Sequence, residues 1–202
     1  MSFGFLVETF ATERLKTLSV WSQFRDTDLE FRPATPARSV REQMVHQCLS
    51  EDAWFSKMLD VTVSVPALPE EETRIAFLER YAATSGQRLD QLRDAPAAWF
   101  EGRTKFFATE RSRAWVMMRR IAHTAHHRGQ LTTYHRLLGH ALYSTYGPTA
   151  DTGGLPADGA EVVYRYPSVD ALLAAERSGG VNPPLAGAGA NSPTERPVAF
   201  HA

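Results

Sequence analysis

Apolar residues recur at steps of three and four along much of this chain, and this spacing limits the folds open to it. In an α-helix such residues share one face, which must be buried against other elements. The first stretch shows the pattern clearly, with Leu6, Phe10 and Trp21 on the same stripe. The spacing predicts long helices over residues 3–24, 39–59, 70–93 and 109–138.

The segments between these stretches contain signals that end or begin a helix. Proline residues break the chain between the first and second stretches. Ser39 opens the pattern SVRE, in which its hydroxyl and the Glu42 carboxylate can cap the second helix reciprocally. Thr109 is the predicted cap of the last helix and Gly139 its C-terminal stop, while the preceding WFEGRTKFF is expected to include a short extended stretch.

Helices of this length with modest connections predict an all-α four-helix bundle over residues 1–140. Residues 141–202 form a Gly/Pro-rich extension, in which VVYRYP predicts a short strand or turn and the residues after it a short helix. Two roles for the extension stay open, a lid over a cleft and simple packing on the bundle. Its last part has too few apolar residues to fold alone and is expected to be draped or flexible.

Composition excludes several classes of protein. The net charge of -1 gives no overall attraction for nucleic acid or anionic lipid. The single cysteine, Cys48, excludes an internal disulfide and a zinc site built from several thiolates. Neither an export signal nor an apolar run of roughly 20 residues is present, so the expected location is cytoplasmic and no membrane partner is expected.

Histidines supply the strongest functional signal. His123 and His127 are four residues apart, so their side chains share a largely apolar helix face one turn apart. Burying two unpaired imidazoles is costly, and a shared divalent ion removes that cost. His46, on the second predicted helix, is the candidate third ligand. Three protein ligands leave at least one coordination position open, as in a reactive metal site.

Other polar residues have competing interpretations. Glu51 is either a residue that orients a metal ligand or a solvated carboxylate, and Arg128 either caps carbonyl groups or grips an acidic substrate. Cys48 is expected to be a buried packing residue rather than a nucleophile. The remaining histidines are expected to be exposed or to form local hydrogen bonds, or, for the last of them, to belong to a loose tail: His126, His135, His140 and His201.

Two segments, RPATPARSVREQMVHQCLSEDAWF and AHTAHHRGQLTTYHRLLG, closely resemble the DinB-like (DinB/YfiT-type) superfamily of metalloenzymes. The resemblance covers residues 5–140, and the family's histidine on helix two and its H-x3-HRGQ motif fall on His46, His123 and His127. It implies an up-down-down-up four-helix bundle, often a homodimer, with a three-histidine metal site in a cleft. It also implies relatives that act as thiol-dependent transferases and isomerases.

The leading hypothesis is therefore a metal-dependent transferase or isomerase that activates a low-molecular-weight thiol to attack a small molecule, with Zn, Ni or Fe as the ion. In this hypothesis Arg128 or Tyr134 orients the second substrate. One alternative is a metal-dependent hydrolase with Glu51 as its base. The other is a non-catalytic, stress-induced dimer in which the metal only fastens helix two to the last helix.

Overall fold

The computed structural model describes residues 3–191. Its secondary structure is mostly helical, as predicted, with one small hairpin and two short 3-10 turns in this range. In chain order the elements are α1 (Gly4–Trp21), a 3-10 turn (Asp26–Asp28), α2 (Val40–Met58), α3 (Arg74–Asp94), α4 (Ala97–Glu101), β1 (Arg103–Phe106), β2 (Thr109–Ser112), α5 (Arg113–Leu137), a 3-10 turn (Pro156–Asp158) and α6 (Val169–Glu176).

Side-chain caps determine where the helices begin. The predicted capping box at α2 is confirmed: Ser39 Oγ accepts from the Glu42 amide at 3.2 Å, and the Ser39 amide donates to Glu42 Oε2 at 2.7 Å. The third helix starts at Arg74 rather than at residue 70, because Thr73 Oγ1 accepts from the Ala76 amide and fixes the first turn there. At the other end of the last helix, Gly139 has a φ of 71° and stops α5 as predicted.

The prediction that the last helix starts at Thr109 is wrong, and the mostly helical fold includes a small two-stranded sheet. Thr109 begins β2, which pairs antiparallel with β1 so that Phe106 faces Thr109 across a two-residue turn. Ser112 is the observed cap of α5, accepting from the Trp115 amide at 3.2 Å. The expected extended stretch around WFEGRTKFF is thus half of a hairpin whose second half lay inside the predicted helix.

The long helices pack side by side, and their contacts give their relative directions. Helix α2 runs antiparallel to α5, since Gln43 contacts Gln130 near one end and Ser50 contacts Arg120 towards the other. Helices α1 and α5 run parallel, since Arg128 contacts Thr17 and His135 contacts the carbonyl of Val20. Helix α3 packs against α1 and, less extensively, α2. These contacts fix the faces of α2 and α5 relative to each other.

Two buried apolar clusters fill the space between the helices. One contains Trp21 and Tyr81, whose ring centroids are 4.9 Å apart. The other contains Phe10 and Phe55, whose centroids are 5.3 Å apart. None of the helices in residues 3–191 is long and apolar enough to cross a membrane.

The described part of the extension packs on α1 and α3. Glu176 of α6 is buried and pairs with Arg74 of α3 and with Arg165. Arg165 also donates to Ser22 Oγ at 2.7 Å. Tyr146 and Asp151 also contact α5, through Arg128 and Arg136. These contacts favour packing over a lid for this part of the chain, because none of them involves the three histidines. Residues 192–202, including His201, lie outside the described part.

Candidate metal centre

Helices α2 and α5 bring His46, His123 and His127 together. Nε2 of His127 lies 3.0 Å from Nε2 of His46 and 3.2 Å from Nε2 of His123. One nitrogen from each ring falls within 4.8 Å of the other two. His127 is buried, with 5% of its surface exposed, whereas His46 and His123 are half-buried. The cluster therefore opens towards solvent on the side of His46 and His123.

These separations suit a shared metal ion. Zinc binds imidazole nitrogen at about 2.0–2.1 Å, which puts two nitrogens of a tetrahedral site roughly 3.3 Å apart. The observed spacings of 3.0 and 3.2 Å are close to that value. Without an ion, only one proton could be shared along each of these close nitrogen pairs. The donor set thus fits a divalent ion that accepts imidazole ligands.

The surroundings of His127 determine which of its two ring nitrogens carries the proton. Its Nδ1 lies 3.0 Å from Oε1 of Gln43 and 2.9 Å from Oε1 of Gln130. Two acceptors at this atom require that Nδ1 carry the proton and donate it. The lone pair of neutral His127 is consequently on Nε2, the atom that faces the other two histidines.

Electrostatics also keep the three rings neutral. Burial, together with the positive charges of Arg38 and Arg120, lowers the pKa of His46 to about 4. Burial and the adjacent Arg120 lower the pKa of His123 to about 3. Burial also lowers the pKa of His127, although its hydrogen bond to Gln130 opposes this effect. Neutral imidazole is the form that binds metal.

A buried ionic network lies directly behind His123. Arg120 is fully buried, and its Nη1 donates to Ser50 Oγ at 2.9 Å and lies 3.3 Å from Nδ1 of His123. Its other terminal nitrogen is 3.8 Å from Glu51, which accepts from Tyr81 at 2.8 Å and from Arg88 at 3.1 Å. Glu51 is fully buried, so the interpretation as a solvated carboxylate is wrong. Among the contacts of residues 3–191, Glu51 is linked to the metal cluster through Arg120.

Arg128 and Tyr134 lie away from the histidine cluster. Arg128 is buried against α1, where it pairs with Glu13 and donates to Thr17 Oγ1 at 3.1 Å and to the Glu13 carbonyl at 3.2 Å. It thus caps a carbonyl, one of its two predicted roles, and also binds an acidic side chain of the chain itself. Tyr134 is buried and donates to the carbonyl of Arg38 at 2.9 Å.

The remaining described histidines lie in environments that agree only in part with the prediction of exposed or locally bonded residues. His126 is exposed and forms a local contact with Gln130, as expected. His140 is half-buried and lies 3.8 Å from a carboxylate oxygen of Asp28. His135 is fully buried, donates to the Val20 carbonyl across helices and stacks on Phe24 with centroids 3.7 Å apart. Its Nδ1 also lies 3.4 Å from Nδ1 of His140, so the expected local contact is present but the expected exposure is not.

Cys48 is a buried packing residue, as predicted. Burial raises the pKa of its thiol far above the ordinary value, and the nearby Glu51 raises it further. A thiol in this state is not a nucleophile at neutral pH.

Aromatic side chains border the cluster on the hairpin side. The ring centroid of Trp54 lies 5.3 Å from that of His123, with 31° between the ring planes, and 5.2 Å from that of Phe106. Phe107 and Trp115 continue this group towards solvent. We call Trp54, Phe106, Phe107 and Trp115 the aromatic cluster.

Sequence reasoning missed the residues that surround the ligands. Gln43 precedes His46 by three residues and Gln130 follows His127 by three, so each shares a helix face with a ligand. That spacing is a usable signal for both glutamines. The contact between Trp54 and His123 joins two helices, and the positions of the two residues in the sequence give no indication of it.

Comparisons with known proteins agree with this architecture. The sequence model of the DinB family matches residues 1–154. A DinB-like protein from Bacillus cereus has a similar structure, with a TM-score of 0.64 and 16% identity over 71% of this chain and 97% of that chain. The DinB-like protein YjoA from Bacillus subtilis gives a TM-score of 0.57 and 18% identity over 70% and 96% of the two chains. No curated protein matches the sequence. At these identities the structural likeness shows the fold alone.

Proposed function

Because the chain belongs to the DinB family, we propose that it is a divalent-metal-dependent enzyme of the thiol transferase or isomerase type. His46, His123 and His127 are the proposed ligands, and a small molecule is the proposed substrate. The observation that carries this proposal is the convergence of three neutral imidazoles, one from α2 and two from α5, at metal-ligand spacing.

The chain's own residues prepare the ligand set. Gln43 and Gln130 hold the proton of His127 on Nδ1 and so direct its Nε2 lone pair towards the other ligands. Acceptors of this kind typically contribute 10- to 100-fold, roughly, to metal affinity. His46 and His123 are half-buried, which leaves an approach for a fourth ligand from solvent.

Charge favours an anionic fourth ligand. The three imidazoles carry no charge, and the fully buried Arg120 adds a positive charge beside His123. A divalent ion bound there would lower the pKa of a coordinated thiol and favour its thiolate form at neutral pH. The thiol has to come from outside the protein, because Cys48 is buried with a raised pKa.

The contacts of the remaining candidates support this proposal better than its hydrolase alternative. A hydrolase needs a general base that reaches a water in the cleft. Glu51 is fully buried and engaged by Tyr81 and Arg88, so its contacts do not suit that role. Arg128 and Tyr134 form their contacts away from the histidines. Arg120 contacts His123, so it is the cation that we propose orients an anionic group at the metal centre.

The proposal extends to the form of the protein. Helix α3 runs antiparallel to α1, since Arg14 contacts Ser85 and Ser22 contacts Arg74. With the directions of α2 and α5, this supports an up-down-down-up four-helix bundle made by α1, α2, α3 and α5, with residues 1–140 as the catalytic unit and residues 141–202 as an appended segment. We further propose a cytoplasmic homodimer with a role in stress response. Zn, Ni and Fe all accept imidazole ligands and are the proposed ions.

Elemental analysis of protein purified without an affinity tag tests the ligand assignment. We expect about one divalent ion per chain, lost in each of His46→Ala, His123→Ala and His127→Ala. His126→Ala is the matched control, because His126 is adjacent to His127 but exposed. Retention of a full complement of metal by all three ligand variants would reject the site.

A cobalt-substituted protein tests the thiol. Coordination of an added thiol is expected to produce a sulfur-to-cobalt absorption band, and turnover of a thiol with an electrophile should follow. The non-catalytic alternative predicts instead that removing the metal lowers the melting temperature while added thiols leave the cobalt spectrum unchanged.

A further inference from the structure

We propose that the aromatic cluster binds a planar aromatic group of the substrate, so that the enzyme selects aromatic small molecules. This inference rests on the proposed function, because it concerns the wall of the same metal centre. The inference is based on the position of the half-buried indole of Trp54. This ring contacts the proposed ligand His123 on one side and Phe106 and Phe107 of the hairpin on the other.

The rings form a continuous path from the metal centre to solvent. The centroids of Trp54 and Phe106 are 5.2 Å apart, those of Phe106 and Phe107 are 4.8 Å apart, and those of Phe106 and Trp115 are 5.0 Å apart. The ring planes in these three pairs are inclined at 73–76°. Such edge-to-face packing holds the rings at fixed angles and leaves ring faces available to a further aromatic group.

Folding alone does not account for Phe107. Its side chain is 69% exposed, and its backbone is in the left-handed region, with a φ of 51°. It is the first residue of the two-residue turn between β1 and β2, where glycine or asparagine is favoured. A large apolar residue that is both exposed and in an unfavourable backbone conformation is a candidate for function.

The dimensions and charges of the cluster fit a small molecule better than a second copy of the chain. With about 150–250 Å² for a whole aromatic side chain, the exposed parts of Phe107 and Trp115 amount to about 160–270 Å². A stable dimer buries roughly 800 Å² on each partner. Charged residues also border the cluster, and Arg111 lies over the Trp115 ring at 5.3 Å.

The aromatic cluster lies next to the proposed ligand His123, so one substrate could contact both the cluster and the metal. A group bound to an ion that His123 ligates would lie near the Trp54 ring, because the ring centroids of Trp54 and His123 are 5.3 Å apart. An aromatic ring attached to that group by one or two bonds is then within reach of the cluster. The expected ligand therefore combines an anionic, metal-binding atom with an aromatic ring.

Two thiols that differ in their aromatic ring test the inference on the cobalt-substituted protein. We expect phenylmethanethiol to bind about tenfold more tightly than ethanethiol to the wild type, as measured by the sulfur-to-cobalt absorption band. Phe107→Asn should abolish this preference without lowering stability, because asparagine tolerates the left-handed backbone. Phe5→Ala removes another exposed phenylalanine on α1 and serves as the control that keeps the preference.

The outcomes separate this inference from the proposed function. Equal affinities for the two thiols, or an undiminished preference in Phe107→Asn, would overturn the aromatic subsite while leaving the metal and thiol assignments intact. If neither thiol changes the cobalt spectrum, the NMR signals of the indole N–H groups of Trp54 and Trp115 provide a second test of the subsite. A shift of these signals on adding phenylmethanethiol to the wild type but not to Phe107→Asn would support the subsite. The absence of a shift in the wild type would overturn it. A dimer that Phe107→Asn converts to a monomer in sedimentation velocity would identify the cluster as an interface between copies and overturn the inference.

Discussion

Oε1 of Gln130 lies 2.9 Å from Nδ1 of His127 and, as an acceptor, holds the ring in the tautomer that can bind a metal through Nε2. Gln130→Met keeps the approximate size of the side chain but removes the acceptor. We expect this variant to bind zinc roughly tenfold more weakly, since Gln43 remains as a second acceptor. A competitive titration against a zinc-binding dye measures the change.

Gln91→Met is the control for the loss of a glutamine from a helix, because Gln91 is exposed on α3. The double variant Gln43→Met, Gln130→Met should lose more affinity than either single variant. Equal zinc affinity in the wild type and the double variant would show that the two amides do not orient His127.

Glu51 and Asp52 both pair with Arg88, but in different environments. The Glu51 side chain is fully buried, whereas 41% of the Asp52 side chain is exposed. Glu51→Gln is expected to lower the free energy of unfolding by about 3–5 kcal/mol, because it leaves the fully buried Arg120 without its carboxylate and Arg88 with only the half-exposed Asp52 as an anionic partner. Asp52→Asn should cost about 1 kcal/mol or less, because solvent screens that pair.

Urea unfolding followed by circular dichroism gives both values. Similar losses in the two variants would mean that burial does not govern the strength of the pairs with Arg88.

The periodicity of the sequence was enough to predict the long helices and to place His46, His123 and His127 on the inner faces of two of them. The capping box at Ser39 was readable because both of its members lie within one turn. Long-range partners could not be predicted from the sequence. Glu51 and His135 are polar residues on helices, and their burial is explained by contacts with distant residues, Arg88 for Glu51 and the Val20 carbonyl for His135. The hairpin was missed because its strands are four residues each and mostly polar.

His135 is expected to make stability depend on pH. Burial lowers its pKa to about 4, although the hydrogen bond to Val20 opposes this and His140 adds to it. The unfolded state, with a pKa near 6.5, takes up a proton first as the pH falls. The contribution of His135 to stability is therefore fully present above pH 6.5 and is lost as the pH falls towards 4, by about 2 kcal/mol between pH 7 and pH 5.

His135→Gln retains a side-chain donor for the Val20 carbonyl but does not titrate in this range. Its free energy of unfolding should consequently fall less than that of the wild type between pH 7 and pH 5, whatever its absolute stability. Parallel pH curves for the two proteins would rule out His135 as the source of the acid sensitivity.

Glu176 should hold the extension on the helices. Glu176→Gln leaves Arg165 buried without its carboxylate and also removes the charge that pairs with Arg74. We expect hydrogen exchange at residues 143–166 to become faster by an amount that corresponds to roughly 3 kcal/mol, with zinc affinity unchanged.

Glu79→Gln provides the control, because Glu79 forms an exposed pair with Arg177, also between α3 and the end of α6. This variant should leave exchange in the extension nearly unaltered. A loss of zinc affinity in Glu176→Gln would instead indicate that the extension supports the metal centre.

The burial of Cys48 allows this residue to report on transient opening of the helix bundle. Cys48 is the single sulfhydryl in the sequence, and it lies in a buried cluster to which α1, α2, α3 and α5 contribute. A thiol-labelling reagent can therefore reach it only when these helices separate. The rate of labelling in excess reagent then measures how often the native protein opens, without any introduced probe. Comparing that rate with and without metal would reveal how far ligation of helices α2 and α5 slows their separation.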